Sequence, residues 1–175
     1  MNRLQLHFLL RRAKALSGHN EFVIVGSLAI LGATQEPPQQ MVLSIDVDAY
    51  MKADPDQTGV LVSALGQGSA FEDEHGYYLD PVSPHLPSFP DGWQDRMIEW
   101  DFGDVKAFFV EPNDVAVSKY MRGDERDMRW LRSGLQSGLL SLETIERRVA
   151  TAPALDGELQ AARRRMAGHR KRLMR

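Results

Sequence analysis

The chain has 175 residues, of which 43% are hydrophobic and 26% charged, a composition typical of a globular protein with one core or a core plus a helical extension. No apolar run approaches the roughly 18 residues of a membrane span, and Arg and Lys interrupt the N-terminal apolar residues, so we expect no signal peptide, no membrane partner and a cytoplasmic location. The absence of cysteine excludes disulfides and thiolate metal sites.

The net charge of −3 is unevenly distributed along the chain. Acidic residues dominate residues 36–114, whereas residues 161–175 contain seven basic residues and no acidic one. Such an acidic centre and basic tail can pair within the molecule, or the tail can bind nucleic acid.

The first elements are a helix and a strand. Residues 2–17 form an amphipathic pattern with Leu4, Phe8 and Leu9 on its apolar stripe, and Gly18 provides a stop. We expect His7, which stands between apolar residues, to be structural. Residues 22–25 read as a buried strand, followed by a turn and short helix over residues 26–32.

A polar, Pro-containing loop over residues 35–40 separates this helix from a second strand over residues 41–50. Side chains alternate faces along a strand, so Asp46 and Asp48 should share one face while Ile45 and Val47 point into the core. Two carboxylates on one face repel each other and are costly to desolvate, so they need a cation. Hard oxygen ligands in a partly open site suit Mg²⁺. The alternative is a solvated strand end.

The middle of the chain predicts further short elements. We expect a turn at Asp54 and Asp56, a short helix over residues 58–65, a solvated turn over residues 71–75, and a strand over residues 76–80. An ordered Pro-rich loop should occupy residues 81–92. Residues 93–100 read as a strand, or as a short strand after a turn, that pairs with residues 105–110 in a hairpin.

The last third of the chain is predicted to be helical. Asn113 or Asp114 should cap a helix over residues 114–121, and helices over residues 128–135 and 142–149 should follow. A final helix over residues 155–173 carries Leu159, Ala162 and Met166 on one narrow stripe. Its basic residues favour a solvated face over an RNA-binding arm, which remains the alternative.

The pair Gly26-Ser27 followed by Ser44-Ile45-Asp46-Val47-Asp48 resembles the signature of the nucleotidyltransferase fold, the polymerase-beta-like superfamily. The stretches GSLAILGA, SIDVD, LGQGSAFEDEHGYYLDPVS, LPSFPDGWQDRM and residues 112–131 resemble one bacterial branch, near the AbiE-type toxin nucleotidyltransferases. Together they cover roughly residues 22–140.

The resemblance implies roles for particular residues. Gly26 and Ser27 would hold the nucleotide phosphates, and Asp46 and Asp48 would bind two Mg²⁺ ions. Asp80 is the first choice for a third metal carboxylate and catalytic residue, with Asp104 as the alternative. A lysine and an aspartate also recur in the relatives, at the positions of Lys119 and Asp127. We expect Lys119 to contact the triphosphate and Asp127, with Arg126, to have a structural role.

The resulting prediction is an α/β (α+β) protein with a nucleotidyltransferase core in residues 1–112, a helical portion in 113–152 and a basic C-terminal helix or tail in 153–175. The implied function is Mg²⁺-dependent transfer of a nucleotide from an NTP to a tRNA or protein acceptor, in a toxin–antitoxin or phage-defence system with a cognate antitoxin. Val42 stands where many members carry a basic residue, and Glu125-Arg126-Asp127 stands where Glu-Lys-Asp is usual. A degenerate member that binds only nucleotide, or an antitoxin-like partner, is the alternative.

Overall fold

A five-stranded mixed sheet lies at the centre of the protein in a computed structural model that describes residues 1–85 and 88–173. The strand order is β3-β2-β1-β5-β4, in which β1 runs antiparallel to β2 and parallel to β5, β2 and β3 are parallel, and β4 and β5 are antiparallel. The strands are Glu21–Ile24 (β1), Asp46–Met51 (β2), Tyr78–Pro81 (β3), Ile98–Asp101 (β4) and Lys106–Phe109 (β5).

Eight α-helices accompany the sheet within the described ranges, and the predicted mixed α/β class is confirmed. Short 3₁₀ segments precede or follow several of them, as at Ser27–Ala29 and Pro55–Leu61. The helices are Arg3–Ser17 (α1), Ile30–Ala33 (α2), Val62–Leu65 (α3), Ala70–His75 (α4), Pro112–Arg122 (α5), Glu125–Gln136 (α6), Leu142–Arg148 (α7) and Asp156–Leu173 (α8).

The sequence of helix α1 determines where the helix begins and ends and which of its faces is buried. Asn2 caps its N-terminus in a capping box with Gln5, and Gly18 ends it in the left-handed conformation that glycine adopts without strain. Four side chains on one face are completely buried in the core: Leu6, Leu9, Leu10 and Ala13. The buried face of α1 therefore differs from the predicted apolar stripe, because Leu4 and Phe8 are 80% and 41% exposed.

The helical C-terminal portion packs on the 3₁₀ segments Ser27–Ala29 and Gln39–Met41 beside the sheet. Helix α5 contacts α6, α7 and α8. The indole of Trp130 on α6 donates from Nε1 to the carbonyls of Ser27 and Met41, each at 3.2 Å. Asp114 on α5, completely buried, accepts hydrogen bonds from Arg96 and Arg148. Ala162 and Met166 of α8 are buried as the predicted stripe requires.

Three further local predictions were wrong. Ile45 is 50% exposed rather than buried, because β2 begins only at Asp46 and strand alternation does not extend to the residue before it. Residues 71–75 belong to helix α4, capped by Ser69, and do not form a turn. Helix α5 is capped by Glu111 and begins at Pro112, rather than being capped by Asn113 or Asp114.

The other expected elements are present, with shifted ends. Residues 93–96 form a 3₁₀ turn before strand β4, which agrees with the second reading of that stretch. No described helix is long and apolar enough to cross a lipid bilayer. Pro87 of the predicted Pro-rich loop and Arg175 of the basic tail lie outside the described residues, as do Leu86 and Met174.

Candidate active site

Three carboxylates meet at one end of the β2–β3 pair. Asp46 and Asp48 lie on the same face of β2, and the parallel register places Asp80 of β3 directly opposite Asp48. One carboxylate oxygen from each residue lies within 4.8 Å of the other two. The alternative third carboxylate, Asp104, is not in this group. It lies in the β4–β5 connection and accepts from His7 Nε2 at 2.9 Å and Arg11 Nε at 2.8 Å.

Burial and mutual repulsion raise the pKa values of two of these three carboxyl groups. Burial, and then the charges of Asp46 and Asp80, raise the pKa of Asp48 to about 7, while Lys119 and Arg122 partly oppose this increase. Burial and the charge of Asp46 also raise the pKa of Asp80. Three convergent oxygen donors with this mutual repulsion fit a hard divalent cation, which would relieve it.

Gly26 leaves the space that the Asp48 carboxylate occupies. It has φ +63° and ψ −155°, a conformation that is essentially restricted to glycine. A Cβ atom built on Gly26 would lie 1.9 Å from Asp48 Oδ2 and 2.8 Å from Asp48 Cγ. Glycine is therefore required at position 26 for two reasons: the Asp48 carboxylate lies too close for a Cβ atom, and the backbone conformation disfavours other residues.

Ser27 begins the 3₁₀ segment that leads into α2, yet its hydroxyl does not cap that segment. Instead Ser27 Oγ accepts a hydrogen bond from Lys119 Nζ at 2.9 Å. The structure thus brings together Gly26, Ser27 and Lys119, the three residues predicted to contact nucleotide, beside Asp48.

Lys119 belongs to a buried charge cluster that joins α5 to α6. The Lys119 side chain is 4% exposed and donates to Asp127 Oδ1 at 2.9 Å, and Asp127 is 1% exposed. Arg122 donates to both oxygens of Asp127, each at 2.7 Å. Burial lowers the pKa of Lys119, and the Asp127 carboxylate opposes that shift. Although burial by itself would raise the pKa of Asp127, the hydrogen bonds and charges of Arg122 and Lys119 lower it overall.

Two cavities flank the carboxylates, and Asp48 and Arg122 line both of them. The larger cavity, about 550 Å³, lies over the residues that lead into β2 and over α6, and Arg126 and Arg129 also line it. The smaller, about 450 Å³, extends along α5 and contains Gly26, Lys119 and Phe89. Asp48 is therefore accessible from two cavities.

Sequence reasoning missed Arg122 and the cavity position of Arg129. Arg122 immediately precedes Gly123, which ends α5 with φ +68°, so its side chain returns toward Asp127 at the start of α6. A basic residue before a helix-ending glycine carries no specific signal. The spacing of Arg126 and Arg129 by three residues could have indicated a shared helix face.

The sequence profile of a family described as "Nucleotidyltransferase of unknown function (DUF6036)" matches residues 5–167. The chain belongs to this family. No curated protein and no solved structure showed significant similarity to the chain. The predicted nucleotidyltransferase membership is thus confirmed at the level of this family, whereas the narrower resemblance to AbiE-type toxins stays a prediction.

Proposed function

We propose that this DUF6036 protein is a Mg²⁺-dependent nucleotidyltransferase that moves a nucleoside monophosphate from an NTP to an RNA acceptor. The observation that carries the proposal is the convergence of Asp46, Asp48 and Asp80 beside Gly26 and Ser27. The acceptor oxygen forms a bond to the α-phosphorus, the bond to the bridging oxygen breaks, and pyrophosphate leaves. The hydroxyl proton of the acceptor passes to solvent or to a carboxylate of the site.

The three carboxylates fit Mg²⁺ because all their donors are hard oxygen atoms and their mutual repulsion favours a cation. Bound Mg²⁺ would supply charge neutralisation for the phosphates and a lower pKa for the acceptor hydroxyl. The protein would hold the metal through Asp46, Asp48 and Asp80. Gly26, Ser27 and Arg122 would then position the triphosphate, with Lys119 holding the Ser27 hydroxyl in place.

The composition of the larger cavity supports RNA as the acceptor. Arg126 and Arg129 lie on it, and guanidinium groups suit phosphate diesters. Leu43 and Ile45 also line it and are 56% and 50% exposed, which provides apolar surface for bases. A protein hydroxyl would need neither these guanidinium groups nor this apolar surface. We therefore assign the acceptor to this cavity and the NTP to the smaller one. The triphosphate would lie at Asp48 and Arg122, which line both cavities, with Ser27 on the side of the larger cavity and Gly26 on the side of the smaller.

The transferase assay uses purified protein, Mg²⁺, each α-labelled NTP in turn, and total RNA or total protein as acceptor. We expect label to enter RNA in the presence of Mg²⁺. No label should enter RNA when EDTA is added or when the Asp48→Asn variant is used. Asp104→Asn is the matched control, because Asp104 lies outside the carboxylate group. Absence of transfer by a folded protein with every NTP and both acceptor pools would contradict the proposal.

The two cavities make a separate prediction about binding. Arg126→Ala should weaken RNA binding and reduce its salt dependence while leaving the affinity for NTP unchanged. Arg163→Ala, on α8 outside both cavities, is the control. Weaker NTP binding with unchanged RNA binding would instead place the nucleotide in the larger cavity.

A second candidate is a degenerate member that binds nucleotide or a protein partner without turnover. It is favoured by one observation, that the charge of Lys119 is already neutralised by buried Asp127. This candidate predicts saturable NTP binding with no label transferred to any acceptor. An antitoxin-like role, or a toxin role with a cognate antitoxin in the cytoplasm, would be tested by co-purifying the product of the neighbouring gene.

A further inference from the structure

A small cavity lies between α6 and α8, apart from the carboxylate site. Its volume is about 80 Å³, and none of its lining residues lines either of the two cavities at the carboxylates. The lining residues are Arg132, Leu135, Gln136, His169 and Arg172. Four of the five lining side chains carry N–H donors, although their carbon atoms and Leu135 supply most of the lining surface. The volume is that of a small ion or a few water molecules.

His169 is the fixed member of this group. It is 3% exposed, and its Nδ1 lies 2.7 Å from the hydroxyl of Tyr120 on α5. Its Nε2 is buried and has no hydrogen-bond partner among the described residues. Burial raises the pKa of Tyr120, so the tyrosine keeps its proton, and Nδ1 is its one side-chain acceptor in the described part of the chain. We therefore assign Tyr120 as the donor to Nδ1, which places the proton of the neutral imidazole on Nε2.

The charges around His169 are predominantly positive. Arg132 and Arg172 are exposed, and neither forms an ion pair or side-chain hydrogen bond with any residue in ranges 1–85 and 88–173. Burial, and then the charges of Arg172 and Arg132, lower the pKa of His169. The nearby acid on α7, Glu146, is paired with Arg170. The cavity thus combines two guanidinium groups with a buried N–H group that has no acceptor.

We propose that this cavity is an anion site that binds a phosphate group, through His169 Nε2–H and the guanidinium groups of Arg132 and Arg172. A buried donor without an acceptor is costly, and a phosphate oxygen would satisfy it. The arginine side chains are exposed and can adjust around the phosphate, whereas Tyr120 holds the imidazole. Because Arg132 belongs to α6 and Arg172 to α8, the bound group would link the two helices.

The test follows the imidazole NMR signals of the five histidines in the full chain while inorganic phosphate replaces chloride at constant ionic strength. We expect the His169 signals, assigned with His169→Gln, to shift saturably and its apparent pKa to rise by about one unit, because a nearby anion stabilises imidazolium. The other four histidines are internal controls. A short RNA without terminal phosphates forms a second arm and presents phosphate diesters only.

Arg132→Gln and Arg172→Gln should abolish the shift, while Arg163→Gln, on α8 outside the cavity, should retain it. Thermal unfolding verifies that each variant is folded. A response to inorganic phosphate alone identifies a free or terminal phosphate group, and a response to RNA as well identifies backbone phosphate; both support the site. An unshifted His169, or an equal shift in Arg132→Gln, Arg172→Gln and the natural chain, would overturn it.

Discussion

Replacing Gly26 by alanine tests whether this glycine exists to admit the Asp48 carboxylate. The new Cβ would lie 1.9 Å from Asp48 Oδ2 and 2.8 Å from its Cγ, far inside ordinary contact distance. The carboxylate must therefore move away from its present position opposite Asp80. We expect Gly26→Ala to lose both stability and metal affinity.

The magnitude combines two terms. A non-glycine residue at φ +63° and ψ −155° costs about 1–3 kcal/mol, and overpacking against Asp48 adds about 1–3 kcal/mol. The expected loss is therefore about 2–6 kcal/mol, equivalent to a fall in melting temperature of several degrees or more for a chain of this size. Gly18→Ala is the matched control, because its φ is +78° but no atom lies within 4 Å of the added Cβ.

Urea unfolding in EDTA measures the stability of Gly26→Ala, Gly18→Ala, Asp48→Ala and the Gly26→Ala/Asp48→Ala double variant. Truncating Asp48 removes the two closest colliding atoms, so the double variant should recover about 1–3 kcal/mol relative to the sum of its single variants. Additive effects, or a Gly26→Ala loss no larger than that of Gly18→Ala, would refute the steric argument.

The remaining predictions concern charge. Folding raises the pKa of Asp48 from 3.8 to about 7, so as the pH increases the unfolded chain releases this proton before the folded chain does. The stability of the metal-free protein should therefore fall between about pH 4 and pH 7, by at most about 4 kcal/mol before solvent screening. Thermal unfolding in EDTA should show that Asp48→Asn removes this loss, and an unchanged pH dependence would contradict it. Asp127→Asn leaves the buried Lys119 ammonium uncompensated and should cost about 3–5 kcal/mol in urea unfolding. The control Glu125→Gln, which breaks an exposed ion pair with Arg129, should cost less than about 1 kcal/mol, and equal costs for the two variants would disprove the burial argument.

The shared face of Asp46 and Asp48 was predictable from the sequence because it depends only on the two-residue period of a strand. The place of Asp80 was not, because it depends on β3 pairing with β2, and strand order is a long-range property. The resemblance made Asp80 the first choice and Asp104 the alternative, and only the sheet order places Asp104 at the opposite side with His7.

Two boundary errors had signals that the sequence contained. Ser69 and Glu72 have the spacing of a helix N-cap and its third residue, and Ser69 Oγ accepts from the Glu72 amide at 3.2 Å. Pro112 suits the first turn of a helix because its missing N–H group would be unpaired there. The Lys119–Asp127 pair had no such signal, because a buried ion pair across a turn depends on how α5 and α6 pack.

The most direct test of the account is Mn²⁺ binding, measured by electron paramagnetic resonance in the purified full chain with Mg²⁺ as competitor. The three convergent carboxylates predict saturable Mn²⁺ binding that Mg²⁺ displaces and that Asp46→Asn, Asp48→Asn and Asp80→Asn each weaken. Asp104→Asn should leave binding unchanged. Absence of saturable binding with and without NTP, or binding that none of the three substitutions weakens, would contradict a metal centre at this site.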